Sequence, residues 1–369
     1  MSLSEKYVIG FFVETTFHYY VYESIINELL ELGLSCHIVI NDNFKKDKET
    51  IIMYQDLKDY LEKLERTDIE VYTVSAIREN QYIYDCMVSP YYSPWLKGIS
   101  KKHVRALYGM LAKGYWNYAW WNVFYDKILC YSHYDYARLN IYNNCSIVGN
   151  PKFDNWFKRK IPNISEVKEN LTLEKEKKNI LYAPTYGHLS SIDKWIKEIN
   201  GLQNDYNVII KLHHGTAFRD SETYRREYIN QNFINISVEP NDLLALFEIS
   251  DFVITDNSGM IFESMLVEKD VLLLNCDNQQ QVKENNDEFI LRSTIKNINK
   301  DQNIYSILKD KELFEKQKIN VKKAINNVYT LKDGNSGKRA SVEILNLLSD
   351  DKEYENEFLI SLRLQIFGA

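Results

Sequence analysis

The chain of 369 residues contains no run near the roughly 18 consecutive apolar residues that a membrane-crossing helix requires. Its first thirty residues also lack the basic, apolar and small-residue zones of a secretion signal, so a cytoplasmic location is expected. The five cysteines (Cys36, Cys86, Cys130, Cys145 and Cys276) are scattered and never form a Cys-x-x-Cys pair, which argues against a disulfide framework and against a zinc site. No Asp-x-Asp occurs and the histidines never pair at metal-ligand spacing, so neither a metal site nor a metal-dependent mechanism is expected. The sequence has no Gly-x-Gly-x-x-Gly fingerprint and no Gly-x-x-x-x-Gly-Lys-Ser/Thr loop, which disfavours dinucleotide cofactors and P-loop chemistry; no cofactor is expected. A net charge of −7 argues against whole-surface binding to nucleic acid, and no internal repeat or low-complexity segment is visible.

The remaining composition, 45% hydrophobic and 26% charged, is that of a globular chain, and the length suits two domains. Short apolar strands are predicted at residues 8–13, 36–40, 69–74, 85–88, 126–131 and 145–148, with a Trp- and Tyr-rich helix between 101 and 121. A charged stretch follows Gly149-Asn150-Pro151. Beyond it strands at 179–183, 207–212, 234–238, 252–255 and 271–275 alternate with amphipathic helices, the pattern of a parallel sheet covered on both faces. The expected organisation is an N-terminal acceptor-side Rossmann-like domain (1–150), a crossing (151–178), a nucleotide-donor-binding Rossmann-like domain (179–335) and C-terminal helices returning to the first domain (336–369).

In open parallel sheets ligands bind outside the carboxyl ends of the strands, so the residues just after each strand carry the candidate chemistry. After the strand at 252–255 come Asp256, Asn257, Ser258 and Gly259, opening a helix with Glu263 one turn in. A hydroxyl and free amides at a helix start suit a phosphate, while the plainer reading is a helix cap. Glu263 can accept hydrogen bonds from donor hydroxyls or simply favour a helix start. Lys211 and His213 end the strand before, spaced to share a face, as a cation and an imidazole that could protonate a leaving nucleotide; alternation sends His214 the other way. His18, after the first strand, is either a base for an acceptor hydroxyl or a structural histidine.

The segments Leu181-Tyr182-Ala183-Pro184-Thr185-Tyr186, Ile210-Lys211-Leu212-His213, Ile254-Thr255-Asp256-Asn257-Ser258-Gly259 with Phe262-Glu263, and Asp333-Gly334 with Ser336 and Arg339 resemble together the CDP-glycerol glycerophosphotransferase family, which builds teichoic acids and capsule polymers. The resemblance covers about the C-terminal 220 residues, from Gly149-Asn150-Pro151-Lys152-Phe153-Asp154 onward. It implies an α/β fold of the GT-B type, two Rossmann-like doubly wound domains facing a cleft, and a CDP-activated polyol phosphate held mainly by the second domain. It further implies a glycan or lipid-linked acceptor at a membrane, and it places Thr185, His213, Ser258 and Glu263 at the donor site. Departures are Asn257 and Gly259 within the Asp-Tyr-Ser-Ser motif, His214 for its Pro, and Gly187 for an Arg. Tyr108 stands where family members carry a His base; tyrosine, with a pKa of about 10, serves poorly, leaving His18 or His103 for the role.

The rival readings are a GT-B glycosyltransferase or hydrolysing epimerase-like enzyme using a nucleotide sugar, and a non-catalytic nucleotide binder. The basic and aromatic stretch around Lys97, Lys101, Lys102, Trp120 and Trp121 suits either a solvated core helix or peripheral contact with an anionic membrane.

Overall fold

A computed structural model describes residues 7–45, 47–110, 115–276, 287–349 and 357–368. The chain forms two compact units, Met1–Lys158 with Thr330–Ala369, and Arg159–Tyr329.

Unit 1 is a parallel sheet of β1 (Val8–Val13), β2 (Ser35–Ile40), β3 (Glu70–Thr73), β4 (Tyr84–Ser89), β5 (Ser100–Ala106), β6 (Lys127–Cys130) and β7 (Cys145–Ile147), in the order β3-β2-β1-β4-β5-β6-β7. β1 reads Val-Ile-Gly-Phe-Phe-Val without a polar residue because a central parallel strand is covered on both faces. The helix Thr16–Glu31 sets Val21, Tyr22, Ile25 and Leu29 into that core, and Ala340 and Ile344 of the helix Ser336–Ser349 enter the same cluster. Asp154 ties these pieces together. Its carboxylate accepts the N–H groups of Ser336 (2.9 Å) and Gly337 (2.7 Å), the first turn of the late helix, and the hydroxyl of Ser24 (2.8 Å) from the early one. Arg339 adds a two-pronged pair to Asp333 and donates to the Val148 carbonyl. Gly149 is confined to glycine here, since its φ is +87° and a Cβ would lie 2.5 Å from Ser336 Oγ. The segments 149–154 and 333–339 of the family pattern therefore join the chain's two passages through unit 1.

The expected helix over 101–121 does not form as such. Residues 100–106 are β5 and the chain turns through short 3₁₀ segments at Tyr115–Tyr118 and Trp120–Phe124, while residues 111–114 lie outside the described residues. Polar residues mask this strand: Ser100, His103 and Arg105 are buried in it. Arg105 is tolerated because its guanidinium donates to the carbonyls of Pro90 and Asn117 and to the side chains of Asn117 and Asn122, with the Trp121 ring 4.8 Å away. Trp121 is buried and Trp120 exposed, and Lys101 and Lys102 pair with Asp85 and Asp126.

Unit 2 repeats the scheme with β8 (Lys178–Ala183), β9 (Tyr206–Lys211), β10 (Asn235–Ser237), β11 (Phe252–Thr255), β12 (Asp270–Leu274) and β13 (Lys296–Ile298), ordered β10-β9-β8-β11-β12-β13 and all parallel. The chain leaves β8 in the middle, and the strand order runs outward from β8 in one direction and from β11 in the other. β8 and β11 thus flank the topological switch point, where loops part and a ligand crevice opens.

Candidate active site

Three loops of unit 2 leave the carboxyl ends of β8, β9 and β11, and side chains lock them together. Asp256, 3% exposed, accepts the N–H of Thr185 (2.9 Å) on one carboxylate oxygen and that of Ser191 (2.7 Å) on the other. The β11 loop thereby grips both ends of the loop leaving β8. Asn257 reinforces it through the Leu189 carbonyl (2.9 Å), and Thr255 Oγ1 donates to the Ala183 carbonyl (2.7 Å). Asp256, among the residues after β11 considered for donor binding, has its carboxylate engaged by the loop amides of Thr185 and Ser191.

Tyr186 carries this order into the β9 loop. Its ring stacks on His213, with centroids 4.6 Å apart and planes 26° off parallel, and Arg219 sits 4.8 Å from its centroid. The close approach depends on Gly215, where a Cβ would meet the Tyr186 ring at 2.5 Å. Strand alternation places His214 on the opposite face from His213, yet the two rings lie 4.2 Å apart. The reason is that β9 ends at Lys211, and the chain then turns into the short helix His214–Phe218. Behind this stack, Glu222 accepts the Gly187 N–H (3.0 Å) and the Thr216 hydroxyl (3.3 Å). Arg225 holds Glu222, Asp193 and the Gly187 carbonyl at once, which fixes the Tyr186–Gly187 turn against the β9 loop.

The electrostatics follow from this packing. Desolvation of the ring, then the neighbouring His214, Lys211 and Arg219, holds the His213 pKa well below its ordinary 6.5. His214 is pushed down to about 4 by desolvation first and by Arg219 and Lys211 second; since the residue keeps an exposed surface, water screens part of that effect. Both imidazoles are then neutral near pH 7. His213 Nδ1 accepts the Gly215 N–H (3.0 Å), so the ring's proton resides on Nε2. His213 therefore offers a neutral N–H donor, and the fixed positive charge comes from Lys211 and Arg219.

Ser258 Oγ accepts the Met260 N–H (3.2 Å), the plainer capping contact, and Gly259 is the residue before the helix Met260–Leu266. Glu263 is 9% exposed, inside that helix. Thr185, His213, Asp256 and their neighbours are thus linked by direct contacts in unit 2, while Lys211, at the end of β9, depresses the His213 pKa. Sequence reasoning missed Arg219, Gly215 and the Glu222–Arg225–Asp193 network, whose partners meet only through the fold.

His18 lies in unit 1, 4% exposed, edge-on to Tyr91 (5.5 Å) and Tyr108 (5.8 Å). Its Nδ1 accepts the Glu14 N–H at 3.2 Å, which leaves the proton of the neutral ring on Nε2. In this tautomer Nε2 carries a proton and is a donor, whereas a base there needs a free lone pair. Glu14 beside it is buried and accepts from Asn41 Nδ2 (2.6 Å) and the Tyr91 hydroxyl; burial raises its pKa above the usual carboxylate value. His103, the other candidate base, sits on β5 away from this edge, with its ring stacked on Phe367.

Two Rossmann-ordered parallel units define a GT-B protein, and solved structures agree in fold. A wall teichoic acid polymerase, TagF, superposes with a TM-score of 0.60 at 17% identity over 94% of this chain and 90% of its own. A UDP-GlcNAc 2-epimerase from Neisseria meningitidis does so with a TM-score of 0.58 at 15% identity over 92% and 99%. The model of the CDP-glycerol:poly(glycerophosphate) glycerophosphotransferase family matches residues 127–346. The chain belongs to that family. A teichoic acid poly(glycerol phosphate) polymerase of Bacillus spizizenii is 29% identical over 117 residues, a match that covers 29% of this chain and 28% of that relative.

Proposed function

We propose that the chain transfers glycerol phosphate, or a related polyol phosphate, from a CDP-activated donor to a hydroxyl of a cell-surface glycan or its lipid-linked precursor, without a divalent metal. The acceptor oxygen attacks the phosphorus that bears the polyol. The bond from that phosphorus to the bridging oxygen breaks, CMP leaves, and the hydroxyl proton passes to a base or to water. Charge builds on the bridging oxygen as it leaves, and a donor already aimed there stabilises it without reorganising.

The observation that carries this reading is the clamped cluster of unit 2, where His213 presents Nε2–H beside Lys211 and Arg219 on loops held by Asp256. A neutral N–H flanked by two fixed cations matches a diphosphate. An anion bound there also raises the depressed His213 pKa and lets the ring protonate the departing nucleotide. Membership of the family supports a CDP-activated donor. The reading includes peripheral contact with the membrane that carries a lipid-linked acceptor; among the described residues no helix is long and apolar enough to cross it.

The test is a thermal-shift series with CDP, CMP, UDP and GDP, followed by turnover of CDP-glycerol with and without EDTA. CDP should raise the melting temperature most, and turnover should survive chelation. His213→Ala and Ser258→Ala should each lose about 1.5 to 3 kcal/mol of donor or transition-state binding, the worth of a hydrogen bond to a charged group. A stronger response to UDP or GDP points to nucleotide-sugar chemistry. Unchanged kinetics in both variants removes the site assignment.

A further inference from the structure

Unit 1 holds a cavity at the amino-terminal edge of its sheet, the edge opposite Glu14 and His18. It measures about 140 Å³ and opens between the start of β5 and the C-terminal helix Glu357–Ile366. His103 lines it, 2% exposed, and neither ring nitrogen has a hydrogen-bond partner. The Ser100 carbonyl influences the ring only weakly, outside hydrogen-bond geometry. The ring lies flat on Phe367, with centroids 3.8 Å apart and planes 12° off parallel. A buried imidazole with two unmet nitrogens is costly, and such a group in a native protein calls for a partner.

The rest of the lining says which partner. Lys101, Lys102 and Arg363 bring three positive charges against the single carboxylate of Asp126. Asp126 holds the set in place: it accepts the His103 backbone N–H (2.7 Å) and pairs with Arg363 (3.2 Å) and Lys102 (3.6 Å). Lys101 is paired outside the lining, with Asp85 (2.9 Å). With Lys101 matched by Asp85, Lys102 and Arg363 share the one carboxylate of Asp126 beside an imidazole that can donate. Across from them Ile360, Leu364 and Phe367 form an apolar wall.

We infer that this cavity binds a phosphate ester at a site separate from the nucleotide donor, its oxyanion held by Arg363, Lys102 and the His103 ring and its carbon skeleton lying against Ile360, Leu364 and Phe367. Oxyanions take charge-assisted hydrogen bonds from such groups, and a bare phosphate would leave the apolar wall uncovered. A cavity of about 140 Å³ has room for a phosphate with a short carbon chain. Bound phosphate also gives the His103 ring the acceptor it lacks.

The test is titration of the full chain with sn-glycerol 3-phosphate, with glycerol as the uncharged control, in the presence and absence of saturating CDP. Vesicles of phosphatidylglycerol and of phosphatidylcholine form the second arm, since a lipid headgroup offers the same phosphodiester chemistry. Glycerol phosphate should bind with and without CDP, and glycerol should not. Arg363→Gln should weaken binding by at least about tenfold, the loss of one charge-assisted hydrogen bond, and leave the CDP-induced thermal shift intact. His103→Phe, which keeps the stack on Phe367 but has no donor, should weaken it as well. Binding confined to phosphatidylglycerol vesicles and sensitive to the same substitutions assigns the site to a lipid headgroup. Absence of binding in both arms, binding that CDP displaces, or an Arg363→Gln variant that binds like the wild type overturns the inference.

Discussion

Replacing His103 by Phe should remove an acid sensitivity that the fold builds into unit 1. Burial pushes the His103 pKa from 6.5 down to about 3, so the folded chain refuses a proton that the unfolded chain accepts. Below about pH 6.5 the unfolded state binds more protons, and stability falls as the pH drops toward about 3, where the folded ring also titrates. Above 6.5 the residue makes no contribution to the pH slope. At about pH 5 the difference is roughly 1.5 pH units below the unfolded value, which amounts to about 2 kcal/mol. The other depressed histidines, His37, His213 and His214, are present in both proteins, so their share cancels in the comparison. Phe keeps the stack on Phe367, and the His103 backbone N–H still reaches Asp126. The assay is urea unfolding at about pH 7.5 and about pH 5, with amide exchange along β5 assigning the transition to unit 1, since two units need not unfold together. The wild type should lose about 2 kcal/mol more than His103→Phe over that interval. Equal losses would show that His103 is protonated in the folded chain and refute the reasoning.

Two further outcomes test the donor cluster. Asp256→Asn turns one acceptor toward a backbone N–H as a donor, so it should destabilise unit 2 by about 1.5 to 3 kcal/mol and weaken CDP binding; calorimetric titration of CDP showing wild-type affinity would mean that the clamp does not shape the site. Gly215→Ala drives a methyl into the Tyr186 ring and should cost about 1 to 3 kcal/mol in chemical unfolding, with recovery in the Gly215→Ala/Tyr186→Ala double variant; additive losses would place the strain elsewhere.

The parts that sequence could reach are those where burial is apolar. β1, β8, β9, β11 and β12 show through their short apolar stretches, such as residues 180–183 and 208–210, because both faces of each strand are covered, and their ends directed attention to Thr185, His213 and Ser258. β5 escaped because Ser-Lys-Lys-His-Val-Arg-Ala breaks the apolar run with polar residues, and the groups that satisfy its buried Arg105 sit in loops 12 to 17 residues away. At the site, strand alternation gave His213 a face but failed at His214, where no strand remains. The tautomers of His18 and His213 depend on the backbone N–H groups of Glu14 and Gly215, and no residue pattern reports them. In the network of Glu222, Arg225 and Asp193, Asp193 lies 32 residues from Arg225, a separation that no periodic pattern reports.

The Asp154 joint also sets a timetable. Ser336 and Gly337 reach that carboxylate across 182 and 183 residues of chain, and Ala340 and Ile344 arrive later still. Unit 2, contiguous from Arg159 to Tyr329, emerges whole from the ribosome before the helix Ser336–Ser349 of unit 1 exists. At 5 to 20 residues per second the early part of unit 1 waits roughly 10 to 40 s for that helix, with the face of Thr16–Glu31 that it will cover still open to water. During that interval the nascent chain is a substrate for chaperones, and variants that weaken the joint at Ser24, Asp154 or Gly337 should reduce the yield of folded protein more than they reduce its final stability.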